Sequence, residues 1–146
     1  MVFNMESLLD RLRRHEGCSL VPYLDTTGNM TVGWGHKMES VSPSILENGI
    51  TQDEADHLLE VDIEIAKNGV SRLPAMVLNN CNEVRRGVLI EQIFQLGLSG
   101  TLKFKKQLKA IENGDFNKAS REMLDSRWAK QTPSRVTELA EIMKNG

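Results

Sequence analysis

Apolar residues recur every three or four positions near the start of the chain, at Met5, Leu8, Leu9 and Leu12. That spacing predicts an amphipathic helix over roughly residues 4 to 14. From Ser19 to His36 the period shortens. Behind the turn cluster Thr26-Thr27-Gly28-Asn29, the residues Met30, Val32 and Trp34 alternate with Thr31, Gly33 and Gly35, which predicts a small β-hairpin or meander. Ser42-Pro43, with Gly49 shortly beyond, predicts a short helix. Thr51-Gln52-Asp53-Glu54 has the form of a capping box, in which each end of the motif satisfies a backbone N–H at the other. Behind it, Ala55, Leu58, Leu59 and Ala66 mark the inner face of a helix to about residue 68, and Asp62 falls on that same face. Residues 83 to 97 are apolar on most sides, as in a helix buried at the centre of a bundle. Shorter helices are predicted at roughly 102–112, 115–124 and 133–144, with Asp115 and Thr132-Pro133 as starts for the last two.

This order predicts a mainly helical α+β chain forming one domain over residues 1–146. A small β-containing lobe is expected at about 15–50 and a connecting helix at about 52–68. The larger helical lobe would combine about 1–14 with 69–146, and a cleft between lobes is the expected ligand site. The 40% hydrophobic and 26% charged residues suit a globular protein, so composition raises no alternative class. A net charge of −2 lacks the basic footprint of a nucleic-acid partner and provides no steering toward an anionic surface. Cys18 and Cys81 lack the Cys or His company of a zinc site and read as reduced thiols, and no cofactor is called for. The polar N-terminus has no signal-peptide core, and no apolar run is long enough to span a bilayer. The expectation is synthesis in the cytoplasm without membrane insertion.

Among the acidic residues, Glu16 and Asp25 frame the β segment. Glycoside hydrolysis generally uses two carboxyl groups, one protonated to donate to the leaving oxygen and one ionised to activate water or attack the sugar. The two need different surroundings to hold their pKa values apart. Glu16 is expected just past the first helix and Asp25 just before a wet turn, with Thr31 on the strand face opposite Met30 and Val32. With 20 acidic residues in the chain, spacing alone does not separate such a pair from solvated surface carboxylates.

The stretch from Glu16 to His36 closely resembles the catalytic lobe of the T-even phage lysozymes. It has an acid, an Asp nine residues on, a Thr six further, then Gly33-Trp34-Gly35-His36. The resemblance continues through Thr51-x-Asp53-Glu54-Ala55, Val84-Arg85-Arg86, Phe94-Gln95-Leu96-Gly97 and Ser126-Arg127-Trp128-x-x-Gln131-Thr132-Pro133-x-Arg135. It implies a lysozyme-like two-lobe fold and an endolysin cleaving peptidoglycan between N-acetylmuramic acid and N-acetylglucosamine. Glu16 would be the general acid, Asp25 the second carboxylate as base or nucleophile, and Thr31 the residue that orients water. Bacterial peptidoglycan is the implied partner of a monomer that acts in the periplasm once a separate holin releases it. Two other readings share the scaffold: a catalytically silent carbohydrate-binding protein and a lytic transglycosylase. Retention of all three residues argues against the first, and Asp25 against the second.

The resemblance also pairs His36 with Asp62 in a structural salt bridge and places Arg135 near the catalytic Glu. Trp128 reads as core, and Trp34 as packed in the small lobe. Gly33 and Gly35, lacking side chains, are expected to let a saccharide approach the strand. Phe94 matches a position lining the saccharide cleft. Lys37, Gln107 and Glu122 stand at saccharide-binding positions where the family more often has Leu, Ser and Asn. The segment between His36 and Thr51 is shorter than in the best-known relatives, and so is the stretch after Met143.

Overall fold

The computed structural model describes residues 6–39 and 42–146. They fall into two compact units, one ending at Glu64 and the other running from Ile65 to Gly146, with the division inside a long helix.

In the first unit, α1 (Leu8–Glu16) starts at Ser7, whose side chain accepts from the Asp10 N–H. The predicted start at residues 4 and 5 lies outside the described residues. Glu16 is the last helical residue rather than the first beyond it. Gly17, at φ +66°, turns the chain away while its N–H bonds back to the Arg13 carbonyl. The strands β1 (Ser19–Leu24), β2 (Met30–Gly33) and β3 (His36–Lys37) form an antiparallel meander in the order β1-β2-β3. This is the predicted β segment, built as a hairpin with a short third strand. The helix α2 (Pro43–Asn48) packs on β1, and the Ile50 N–H after it donates to the Leu20 carbonyl at 2.8 Å. The long helix α3 (Gln52–Ser71) opens with both arms of the predicted capping box. Glu54 N–H donates to Thr51 Oγ1 at 3.1 Å, and Thr51 N–H donates to Glu54 Oε1 at 3.0 Å.

The second unit is helical: α4 (Ala75–Asn80), α5 (Glu83–Leu102), α6 (Lys105–Glu112), α7 (Phe116–Leu124), α8 (Arg127–Gln131) and α9 (Pro133–Asn145). The core gathers Val88, Leu89, Ile111, Met123, Leu139 and Met143 around the central α5, as the all-round apolar character of that segment implied. The predicted end of this helix at residue 97 falls where Gly97 leaves helical geometry (φ +78°), but the helix resumes as far as Leu102. Asp115 caps α7 as predicted, accepting from the Lys118 N–H. The short helices α4 and α8 have no counterpart in the sequence prediction.

Candidate active site

The end of α1 delivers Glu16 to the β2–β3 turn. A Cβ built on Gly35 would fall on the Glu16 carboxyl group, so this carboxyl lies directly against the Gly35 α-carbon. At φ +73°, Gly35 adopts a backbone conformation that side chains rarely tolerate. The seat is fixed from below by its neighbour. Trp34 Nε1 donates to Asp56 Oδ1 on α3 at 2.8 Å, and the Arg13 guanidinium lies 5.5 Å from the centre of the indole ring. This corrects the expected role of the glycines. The space beside Gly35 holds the Glu16 carboxyl, and the space beside Gly33 holds Ala55, 3.3 Å from a built Cβ. The side-chain space at each is thus already filled from within this unit.

Asp25 sits where β1 enters its turn. Three donors converge on its Oδ1: the Thr27 N–H at 2.9 Å, the Thr27 hydroxyl at 2.8 Å and the Asn29 N–H at 2.8 Å. Burial alone would raise the carboxyl pKa. The bonds from Asn29 and Thr27, helped by the Lys37 ammonium, outweigh it and hold the group below the usual carboxylate range. Asp25 is therefore ionised wherever the protein is ordinarily handled. Thr31 is 2% exposed, and its hydroxyl donates to the Asn29 carbonyl at 2.9 Å, the same oxygen that accepts the Asp25 N–H. With its proton so engaged, Thr31 Oγ1 offers its lone pairs to an arriving O–H.

The strand register sets Tyr23 opposite Thr31 and Thr31 opposite Lys37. Directly opposed residues share a sheet face, so these three side chains form a row across the meander. Burial, then the negative charges of Glu16 and Asp25, raise the Tyr23 phenol pKa. One neutral hydroxyl group thus lies within electrostatic reach of both carboxyl groups. Sequence reasoning gave Tyr23 no role; its position two residues before Asp25, at the end of β1, was the available signal.

The remaining assignments divide. His36 Nδ1 and Asp62 Oδ2 lie 2.8 Å apart, and the Asp62 hydrogen bond raises the His36 pKa against the opposing effect of burial. This is the expected structural pair. Trp128 is core as expected, 2% exposed, edge-on to Phe104 at 5.9 Å, with Nε1 donating to Gln95 Oε1 at 2.7 Å. Phe94 is partly buried against the core of the second unit. Glu122 lines a cavity of about 530 Å³ in that unit, together with Phe104, Trp128, Lys103, Lys106 and Arg127. Gln107, however, is fully buried. It exchanges two side-chain hydrogen bonds of 2.9 Å with Gln92 and offers a sugar no surface. Arg135 is buried as well, and its Nε donates to the fully buried Glu91 at 2.8 Å, a partner that the sequence did not suggest. Cys18 is exposed and Cys81 buried, both as free thiols. Among the described residues there is no His, Cys, Asp and Glu grouping able to hold a metal ion, and no helix long and apolar enough to cross a membrane.

A carboxyl seated on a glycine, an ionised carboxylate on a turn and a threonine beside it are the kinds of group that two-carboxyl glycoside hydrolysis draws on. The Phage lysozyme family profile matches residues 13–141, and the chain belongs to that family. It is 32% identical over 163 residues to "Probable T4-type lysozyme 2" of Dictyostelium discoideum, covering 97% of this chain and 96% of the relative. It is 29% identical over 167 residues to "Probable T4-type lysozyme 1" of the same organism, with the same coverage. It is also 31% identical over 160 residues to the pre-baseplate central spike protein Gp5 of Enterobacteria phage T4, covering 96% of this chain but 28% of that protein. The enzyme is thus a lysozyme-like peptidoglycan hydrolase.

Proposed function

We propose that this chain hydrolyses the β-1,4 bond between N-acetylmuramic acid and N-acetylglucosamine, and that it serves to lyse a bacterial host. The observation that supports this reading is a pair of differently held carboxyl groups, Glu16 seated against Gly35 and Asp25 bound by three donors. Glu16 protonates the leaving glycosidic oxygen as its bond to the anomeric carbon breaks. A water accepted by Thr31 Oγ1 supplies the new oxygen, and Asp25 receives the proton that this water releases. Glu122, in its cavity, and Lys37, beside Thr31, are the surface candidates for contacts to the wall polymer. On this reading the protein is a monomer made in the cytoplasm, and it reaches the wall when a separate holin opens the way.

The test is clearing of permeabilised Gram-negative cells, followed by turbidity, with wild type and Glu16→Gln. Clearing by wild type and its loss in the variant are expected. Inactive wild-type protein refutes the proposal, and equal clearing by the variant refutes Glu16 as acid. Mass analysis of the fragments should give reducing ends, whereas anhydro-sugars would identify a lytic transglycosylase.

A further inference from the structure

Asp25 is gripped more tightly than its turn requires. An Asp at the head of a turn commonly accepts one or two backbone N–H groups. Here two side chains join in series. Asn29 Nδ2 donates to Thr27 Oγ1 at 2.9 Å, and Thr27 Oγ1 donates to Asp25 Oδ1 at 2.8 Å. The direction of this chain is fixed by chemistry. An amide –NH₂ only donates, so the Thr27 oxygen accepts from Asn29 and must spend its single proton on Asp25. An ionised carboxylate only accepts, which the arrangement satisfies. A proton on Oδ1 would displace the Thr27 hydroxyl proton from its bond and stand against two backbone N–H donors.

We propose that Thr27 and Asn29 are positioning residues that act through Asp25, their relay binding one carboxylate oxygen, Oδ1, and reserving the other, Oδ2, for the reaction. The inference rests on the reading of Asp25 as the second carboxylate. Asn29 performs three tasks at once. Its side chain orders Thr27, its N–H binds Asp25 Oδ1, and its carbonyl accepts from both the Asp25 N–H and the Thr31 hydroxyl. One residue therefore sets the carboxylate and the water-binding hydroxyl in a common frame. A proton taken from water has a stable place only on Oδ2.

The other charged and titratable groups around Asp25 come from each neighbouring element. Lys37 acts from β3, and Tyr23 lies on β1. Glu16, at the end of α1, reaches the same tyrosine. The helix α2, which packs on β1, carries Glu47. None of these is altered by changes at residues 27 and 29, so a shift on substitution reports the relay itself.

The test uses the full chain and two readouts. Carboxyl carbon-13 NMR follows the titration of Asp25 in wild type, Thr27→Val, Thr27→Ser and Asn29→Ala, and the same proteins are assayed for clearing across pH. Thr27→Val should raise the Asp25 midpoint by about half a unit to one unit, Asn29→Ala by less, and Thr27→Ser should stay close to wild type. The acid limb of kcat/KM should move with the midpoint while KM stays unchanged. Titration curves that superimpose for all four proteins overturn the relay. A shifted midpoint with an unmoved acid limb overturns its part in the reaction. Inactive wild-type protein would instead remove the reading of Asp25 on which the relay's role depends, and the NMR titration distinguishes that failure from the others.

Discussion

Replacing Gly35 by alanine separates two effects that occupy the same atom. The first is backbone strain, because at φ +73° an L-residue costs about 1–3 kcal/mol when the surroundings enforce the conformation. The second is steric. The new Cβ lands on the Glu16 carboxyl, and that side chain has to leave its seat. Gly114 provides the strain term alone, since it adopts φ +71° and a Cβ there meets nothing within 4 Å. For a chain of this size each kcal/mol moves the midpoint by about 3 °C, so Gly114→Ala should melt about 3–9 °C below wild type and remain fully active. Gly35→Ala should lose at least as much stability. Its kcat should fall on the order of 100-fold, because a misplacement of about 1 Å at a reacting group costs that much. Differential scanning calorimetry and a turbidity assay on the three proteins decide the matter. If Gly35→Ala were destabilised like Gly114→Ala and cleared cells at the wild-type rate, the Glu16 carboxyl would have no need of its seat.

Two further predictions follow from pairs seen above. The folded-state pKa of His36 is raised above its ordinary value by Asp62, so the stability due to its charge is complete below about pH 6.5 and is lost as pH rises through the folded value. Asp62→Asn should therefore cost about 1–3 kcal/mol near pH 5.5 and clearly less near pH 8.5, measured by urea unfolding; equal losses at both values would contradict the pairing. In the buried amide pair, Gln107→Leu strands Gln92 and should cost about 1–3 kcal/mol, whereas the double change Gln92→Leu with Gln107→Leu should recover most of it. An additive double-mutant cycle would show that the two side chains do not depend on each other.

What the sequence disclosed was mostly local. The capping box at Thr51 and Glu54, the cap at Asp115 and the turn after Asp25 are each written within a few residues, and each forms as read. The chain-wide resemblance identified the His36–Asp62 pair across 26 positions, a separation that periodicity does not bridge. Where the fold joins distant residues without such a pattern, the reading stopped. Glu91 and Arg135 are 44 positions apart, and neither announces the other. Gln107 was expected to meet saccharide because it stands at a family binding position, and its burial goes with a partner one helix away that the sequence does not announce. Gly35 showed the need for an absent side chain without showing what fills the space. The short helices α4 and α8 span too few residues to display a period.

The Gln92–Gln107 pair also bears on how such a protein changes over generations. An apolar core accepts substitutions one at a time, each neighbour giving a little. Two amides that satisfy only each other do not permit that. A change at either position passes through a chain with a stranded polar group inside it, so the two are inherited and replaced together. A relative with Ser at the position of Gln107 is therefore expected to have a residue other than Gln at the position of Gln92.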